Sequence, residues 1–253
     1  METPKEDGIQ VMLREYFPSG SRIIKSKLYS WLFENQNIYY KEILGLPDDK
    51  ITEESKAEFS EYIKLEIVIN NIQILEDFFR ILTAFKFSTV DPVMEFRKRA
   101  SATKFYDGLK PSSLTPLELL DYLGLPPLDD QTIKQNNLTE SLSKFKETLT
   151  RAKDVYARYI NLYTCYKHGN RVTVVTSYNN PEAGTGLYTI IGYLLEKGDR
   201  NDIVFIRLSD ISEMQSLEHE IITIGNWIKE NWFSSHKDGK DSFNVTIPFP
   251  KHP

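Results

Sequence analysis

The sequence predicts a mainly α-helical bundle with a small β hairpin or three-stranded sheet inserted before the last helix. Three observations carry that prediction. Apolar residues recur at i, i+3 and i+4 through most of the chain, the spacing of a helix that buries one face. Start signals at Asp91-Pro92 and Thr115-Pro116, and stops at Gly45, Gly124 and Gly169, punctuate those stretches. Only about 171–208 departs from the pattern, where RVTVVTSY (171–178) and DIVFIRL (202–208) are β-branched and read as strands.

Taken in order, Ile24, Leu28, Trp31, Leu32 and Tyr39 place a helix over about 23–44, stopped by Gly45 and Pro47. Thr52 is placed to cap the next, over about 52–87, whose apolar stripe runs from Phe59 to Phe85. That stripe is wide enough to need burial on more than one side, so this is the expected central helix. Asp91-Pro92 opens a helix over about 91–106, because the carboxylate caps free N–H groups and proline lacks one. Thr115-Pro116 opens a short helix over 115–123, ended by Gly124 and Pro126. The stretch LGLPPLDDQTIKQNN (123–137) is expected to be a loop and is the most linker-like part of the chain. Thr139 is expected to cap a helix over 139–168 with Gly169 just past its end. NNPEAGTG then reads as a turn, and the first half of LYTIIGYLLE leans to strand. The last helix is expected over about 209–232, with Ile211, Met214, Leu217, Ile221, Ile224 and Ile228 on one face. Pro248, Pro250 and Pro253 keep the final segment out of helix. Trp31, Trp227 and Trp232 fall on apolar helical faces and read as core or interface. No repeat is visible; 1–253 reads as one domain, and its long, aromatic-rich helices predict a homodimer.

The 253 residues carry 31 Lys plus Arg against 36 Asp plus Glu, a net charge of −5. That excludes a general cationic coat for nucleic acid and leaves room for a local basic face. Hydrophobic residues at 40% suit a folded chain and exclude a disordered one. The single cysteine, Cys165, excludes an internal disulfide and a Cys-rich zinc site, which points to a reducing compartment. No apolar run is long enough for a membrane span, and METPKEDGIQ is too polar for a signal peptide, so a cytoplasmic location is expected.

The chemistry concentrates on the 139–168 helix. Glu147, Arg151, Asp154, Arg158, Asn161, Cys165 and His168 are spaced by four and three and share one stripe. From Thr139 to Arg171 there are seven Lys or Arg against three Asp or Glu, a local excess on an acidic chain. The plain interpretation is a solvated face with i,i+4 charge pairs. The functional one notes that His168 ends the helix, where the dipole favours imidazolium. Beside Asn161 and Arg158 or Arg171, that imidazole suits phosphate binding or acid–base work on a ribose hydroxyl.

The segment YINLYTCYKHGNR (159–171), ending a long helix, resembles the catalytic segment of HEPN-like (higher-eukaryote and prokaryote nucleotide-binding) helical proteins. The resemblance implies an often dimeric helical bundle. In its active members it implies a metal-independent ribonuclease of toxin–antitoxin or phage-defence systems. The family's motif is an Arg followed after four to six residues by a His on one helix. Here LYTCYK separates Asn161 from His168, so Asn161 stands where the family has Arg, and Arg158 lies one turn earlier on the same stripe. The resemblance thus implies His168, Asn161 and Arg158 as catalytic residues and Lys167, Arg171 and Arg151 as RNA contacts, with no metal or cofactor. Two other readings stay open: a non-catalytic dimeric module for a partner protein, and a ligand sensor with Tyr156, Tyr159, Tyr163 and Tyr166 lining a pocket.

Other candidates carry less. EHEIITIG (218–225) has Thr223 where a zinc-protease helix would need a second His after His219. Gly184-Thr185-Gly186 lacks the Lys-Ser/Thr of a phosphate loop and reads as a turn. Cys165 reads as a small buried residue, His236 and His252 as exposed, and RKRASATK (97–104) as a solvated face.

Overall fold

A computed structural model describes residues 20–47, 50–89, 91–97, 101–168, 172–180, 184–197, 200–206, 208, 211–237 and 244–249, in places by backbone alone. The chain is mainly helical, with a three-stranded antiparallel sheet before the last helix, as the sequence predicts. Its elements are α1 (Gly20–Glu34), α2 (Glu53–Ala84), α3 (Pro92–Arg97), α4 (Ala102–Gly108), α5 (Pro116–Tyr122), α6 (Asp130–Gln135), α7 (Leu138–Lys167), β1 (Val172–Asn180), β2 (Gly184–Lys197), β3 (Arg200–Ile206) and α8 (Ser212–Lys237). Two compact units result. The first comprises Met1–Gly20, Gln73–Ala157 and Gln215–Pro253, and the second Ser21–Ile72 and Arg158–Met214.

In the second unit, Ile63, Ile67 and Ile211 form a buried cluster against which Tyr29, Leu32, Phe33 and Phe59 pack. The expected 23–44 helix is broken. α1 stops at Glu34, a short turn Gln36–Ile38 follows, and Tyr39–Ile43 winds as a π-helical turn. The break falls at Asn35, whose backbone leaves the helical region at φ −118° and ψ 35°, while its N–H and its side-chain amide both donate to the Trp31 carbonyl at 2.9 Å. Beyond the break, Tyr39 stacks on Phe59 with centroids 4.8 Å apart, and the buried Tyr40 hydroxyl donates to the Ser55 carbonyl at 2.7 Å. Thr52 caps α2 as expected, its hydroxyl accepting the Ser55 N–H at 3.1 Å.

β1, β2 and β3 pair consecutively, so the sheet is two successive hairpins. All of LYTIIGYLLE is strand, which extends the expected half. Rows Val174–Ile191–Ile206 and Val172–Tyr193–Val204 alternate with Thr173–Gly192–Phe205, and Ile191 and Tyr193 are buried while Thr173 and Phe205 are exposed. The Phe205 ring covers Gly192, where a Cβ would meet it at 3.0 Å. Of NNPEAGTG, expected to be a turn, Asn179 and Asn180 belong to β1 and Gly184, Thr185 and Gly186 to β2, because the two strands stay paired to Asn180–Gly184. Residues 181–183, like Gly169 and Arg171, lie outside the described residues.

In the first unit, Phe78, Phe85, Phe145, Leu120 and Ile228 are fully or almost fully buried. Phe85 sits against Trp232 and Phe233, with centroids at 5.6 and 5.7 Å. Tyr106 stacks on Tyr156 at 4.4 Å and donates to the Leu75 carbonyl at 2.8 Å. The expected 91–106 helix is two pieces. Asp91 accepts the Met94 N–H at 3.1 Å to start α3, and Ser101 caps a new helix, α4, by accepting the Lys104 N–H at 3.3 Å.

α5 starts with a full capping box between Thr115 and Glu118, whose carboxyl is held below its usual range by the backbone and side-chain hydrogen bonds from Thr115. It ends in a Schellman turn: the Leu125 N–H donates to Leu120 O at 2.9 Å, the Gly124 N–H to Asp121 O at 3.0 Å, and Gly124 has φ +69°. The expected loop after it contains α6, which Asp129 caps by accepting the Thr132 N–H at 2.7 Å. α7 begins at Leu138, one residue before the expected cap Thr139, after Asn137 at φ +55°. Past α8 the chain has no regular secondary structure over 244–249 and is clipped by Asn231, whose amide accepts the Asn244 N–H at 2.9 Å and donates to its carbonyl at 3.3 Å. Ile247 is buried beyond that clip.

Candidate functional site

α7 is amphipathic along its whole length, and its polar stripe meets different fates in the two units. In the first unit its cations are already engaged. Lys144 pairs with Glu140 at 2.7 Å, and Lys146 donates to the carbonyls of Ser112 at 2.9 Å and Leu114 at 3.3 Å. Lys153 donates to the Leu109 carbonyl at 2.6 Å. Arg151 reaches the buried Glu220 at 2.8 Å, and Thr148 donates to the other oxygen of that carboxylate at 3.0 Å. A buried carboxylate needs such partners, so Arg151 neutralises a core charge. These cations close loops and balance carboxylates.

The second unit holds the other end of α7. Arg158, Asn161, Thr164, Lys167 and His168 are exposed there. Arg158 lies over the Tyr159 ring and Lys167 over the Tyr163 ring, with centroids 5.9 and 5.8 Å away. From Val155 to His168 the sequence holds no Asp or Glu. His168 follows the last helical residue, and its N–H still donates to the Thr164 carbonyl at 3.2 Å. Lys167 and His168 therefore stand at the C-terminal end of the helix, beside its last carbonyls. Cys165 turns away from this face: it is buried, and its thiol donates to the Leu194 carbonyl at 2.9 Å. It serves as a packing residue under β2.

Spacing limits what these side chains can do together. At about 1.5 Å of rise per residue, His168 is roughly 10 Å from Asn161 and roughly 15 Å from Arg158 along the axis. A single phosphate group does not span that distance. The arrangement suits an extended polyanion, with Arg158 and Asn161 on one part of the backbone and His168 on another.

Sequence reasoning missed the acid beside this face. Glu66 of α2 accepts hydrogen bonds from the hydroxyls of Tyr166 at 2.5 Å and Tyr29 at 3.2 Å. Partial desolvation, reinforced by the Glu66 hydrogen bonds and charge, raises both phenols above the ordinary tyrosine range. Because the folded state raises these values, the stabilisation is complete below the ordinary tyrosine pKa and is lost as pH climbs past it. Phenolate absorbance during an alkaline titration should show these two ionising late, together with Tyr40, Tyr106, Tyr156 and Tyr193, which burial also raises. Glu66→Gln, which removes the charge, should bring Tyr29 and Tyr166 back toward the ordinary value. Glu66 is a hundred residues from Tyr166, so no spacing pattern announced the contact.

Of the tyrosines expected to line a ligand pocket, Tyr156 is stacked on Tyr106 in the first unit; in the second, Tyr159 and Tyr163 are buried and Tyr166 is exposed. The first unit has a separate cleft of about 320 Å³ lined by Leu114, Pro116, Leu119, Ile133, Leu142 and Lys146 among others. Among the described residues, no group of three or more His, Cys, Asp or Glu is placed to hold a metal ion. His219 is exposed, whereas Glu218 and Glu220 are buried. No helix among the described residues is long and apolar enough to cross a membrane. No protein-family model, curated protein or solved structure matches the chain.

Proposed function

We propose that the protein is RNA-directed and contacts the RNA backbone through the C-terminal half of α7. One observation supports this reading above the others: the cations of α7 in the first unit are paired with carboxylates or backbone carbonyls, while Arg158, Lys167 and His168 are exposed on a stretch of α7 that itself contributes no carboxylate. Such a face binds weakly and with a strong salt dependence, because each neutralised phosphate releases counterions. The resemblance to HEPN-like proteins adds a reaction, metal-independent RNA cleavage of the kind used in defence and toxin systems. In that reaction the ribose 2′-oxygen attacks the adjacent phosphorus, the 5′-oxygen leaves, and a 2′,3′-cyclic phosphate forms. His168 would take the 2′-hydroxyl proton or give one to the leaving oxygen, and Asn161 and Arg158 would hold the flanking backbone.

The test separates binding from cleavage. Fluorescence anisotropy with labelled single-stranded RNA should give an affinity whose logarithm falls with log salt by about 0.7 per contacted phosphate. Arg158→Glu with Lys167→Glu should lower that affinity at least tenfold and flatten the slope. In chelator-containing buffer, wild type should cleave the RNA, and His168→Ala should bind equally well but not cleave. Wild-type binding that the double variant leaves unchanged would reject this face as the RNA site. Binding without cleavage in wild type would leave a non-catalytic RNA-binding module.

A further inference from the structure

Thirteen large apolar side chains are exposed among the described residues, and seven of them fall between Ile24 and Leu46. Three form a line on α1: Ile24, Leu28 and Trp31 are 67%, 48% and 40% exposed, at spacings of four and three. The opposite side of α1 supplies Tyr29, Leu32 and Phe33 to the core of the second unit. α1 is therefore apolar on both sides, and an apolar line facing water signals a partner. The spacing is that of a coiled-coil seam, with Ile24 and Trp31 at d positions and Leu28 at an a position.

The charges beside the seam indicate which partner and which direction. Lys25 and Lys27 are exposed along the first half of α1, and Glu34 is exposed at its end. If two copies of α1 pack antiparallel, Leu28 meets Trp31 of the second copy, and Lys27 falls beside its Glu34. Twofold symmetry makes each contact twice. Parallel packing would instead set Lys27 against Leu32, with no opposite charge. Three side chains a copy are less than a specific interface of about 1,200 Å² uses. Ile38, Ile43, Leu44 and Leu46, all exposed and directly following in the same unit, supply further apolar surface.

We infer that α1 is a self-association face, on which a second copy of this chain binds antiparallel through Ile24, Leu28 and Trp31. The inference is independent of the RNA reading. Sedimentation velocity of the full chain up to about 100 μM, enough to populate weak specific pairs, should show a dimer. Leu28→Glu should give a monomer with an unchanged circular dichroism spectrum. Lys27→Glu and Glu34→Lys should each raise the dimer dissociation constant about tenfold, through two symmetry-related repulsions. Combining them should restore it to within about threefold, since the pairs re-form with reversed signs. A wild-type monomer throughout, or a dimer indifferent to Leu28→Glu, would overturn the proposal. A monomer that co-sediments with anionic phospholipid vesicles would overturn it in favour of a lipid surface. Failure of the double reversal to rescue would overturn the antiparallel arrangement.

Discussion

Replacing Phe85 by Ala is expected to lower the free energy of unfolding by about 4 kcal/mol, within the range for emptying an aromatic site in a closed core. The ring has no exposed surface, and it is closed over by Trp232 edge-on at 5.6 Å and by Phe233 at 5.7 Å. These are large, stiff neighbours that cannot collapse into the vacancy, so the cavity penalty adds to the lost transfer free energy. Urea denaturation would measure it, and Phe85→Leu should recover about half of the loss. A loss below about 1 kcal/mol would mean that the aromatic corner is already loose.

Gly124→Ala should cost about 3 kcal/mol, on two separable grounds. Gly124 has φ +69°, where an L side chain is strained, and a Cβ there would meet the Phe85 carbonyl oxygen at 2.9 Å. That oxygen is backbone and cannot swing aside. Gly45 provides the control: its φ is +62°, yet a Cβ would find nothing within 4 Å. Gly45→Ala should therefore lose only the conformational part, about 1 kcal/mol. Thermal unfolding of the two variants side by side would give the difference, at about 2–4 °C per kcal/mol for a chain of this size. Equal effects would place the whole cost in backbone strain and none in the close approach.

The sequence was legible where one residue announces one event. Thr52, Asp91 and Thr115 start helices as expected because their side chains accept N–H groups three residues on. The β-branched runs of 171–208 form the expected sheet. It misled where a local polar group competes with a periodic pattern. Ser101 and Asp129 start helices inside stretches assigned to one helix and to a loop, and the backbone leaves the helix at Asn35 within an apolar period that looks continuous. The apolar period of α1 was visible, but not that Ile24, Leu28 and Trp31 face solvent while Leu32 and Phe33 pack inward. Both sides of that helix are apolar, so periodicity alone cannot choose between them.

The candidate site was legible as a stripe and no further. Helical spacing correctly aligned Arg151, Arg158, Asn161 and His168 on one element, because 3.6 residues per turn is a property of the chain itself. It could not tell that Arg151 answers a core carboxylate while Arg158 faces water. Glu220 lies 69 residues from Arg151, and Glu66 a hundred from Tyr166, distances across which only the folded chain establishes contact.

The division into two units has a consequence for how the protein is made. Neither unit is a continuous stretch: the second needs Ser21–Ile72 together with Arg158–Met214, and the first needs Gln73–Ala157 together with Gln215–Pro253. On the ribosome, the early helices must wait while the middle of the chain is synthesised. Ile63 and Ile67 meet Ile211 only after some 140 further residues have emerged. The Phe85 corner stays open until Trp232 and Phe233 arrive. Contacts so distant in sequence slow folding and prolong the exposure of apolar surface. A nascent chain stalled before α8 would thus present its longest helix, α2, unfinished in both of its settings, as a natural client for a chaperone.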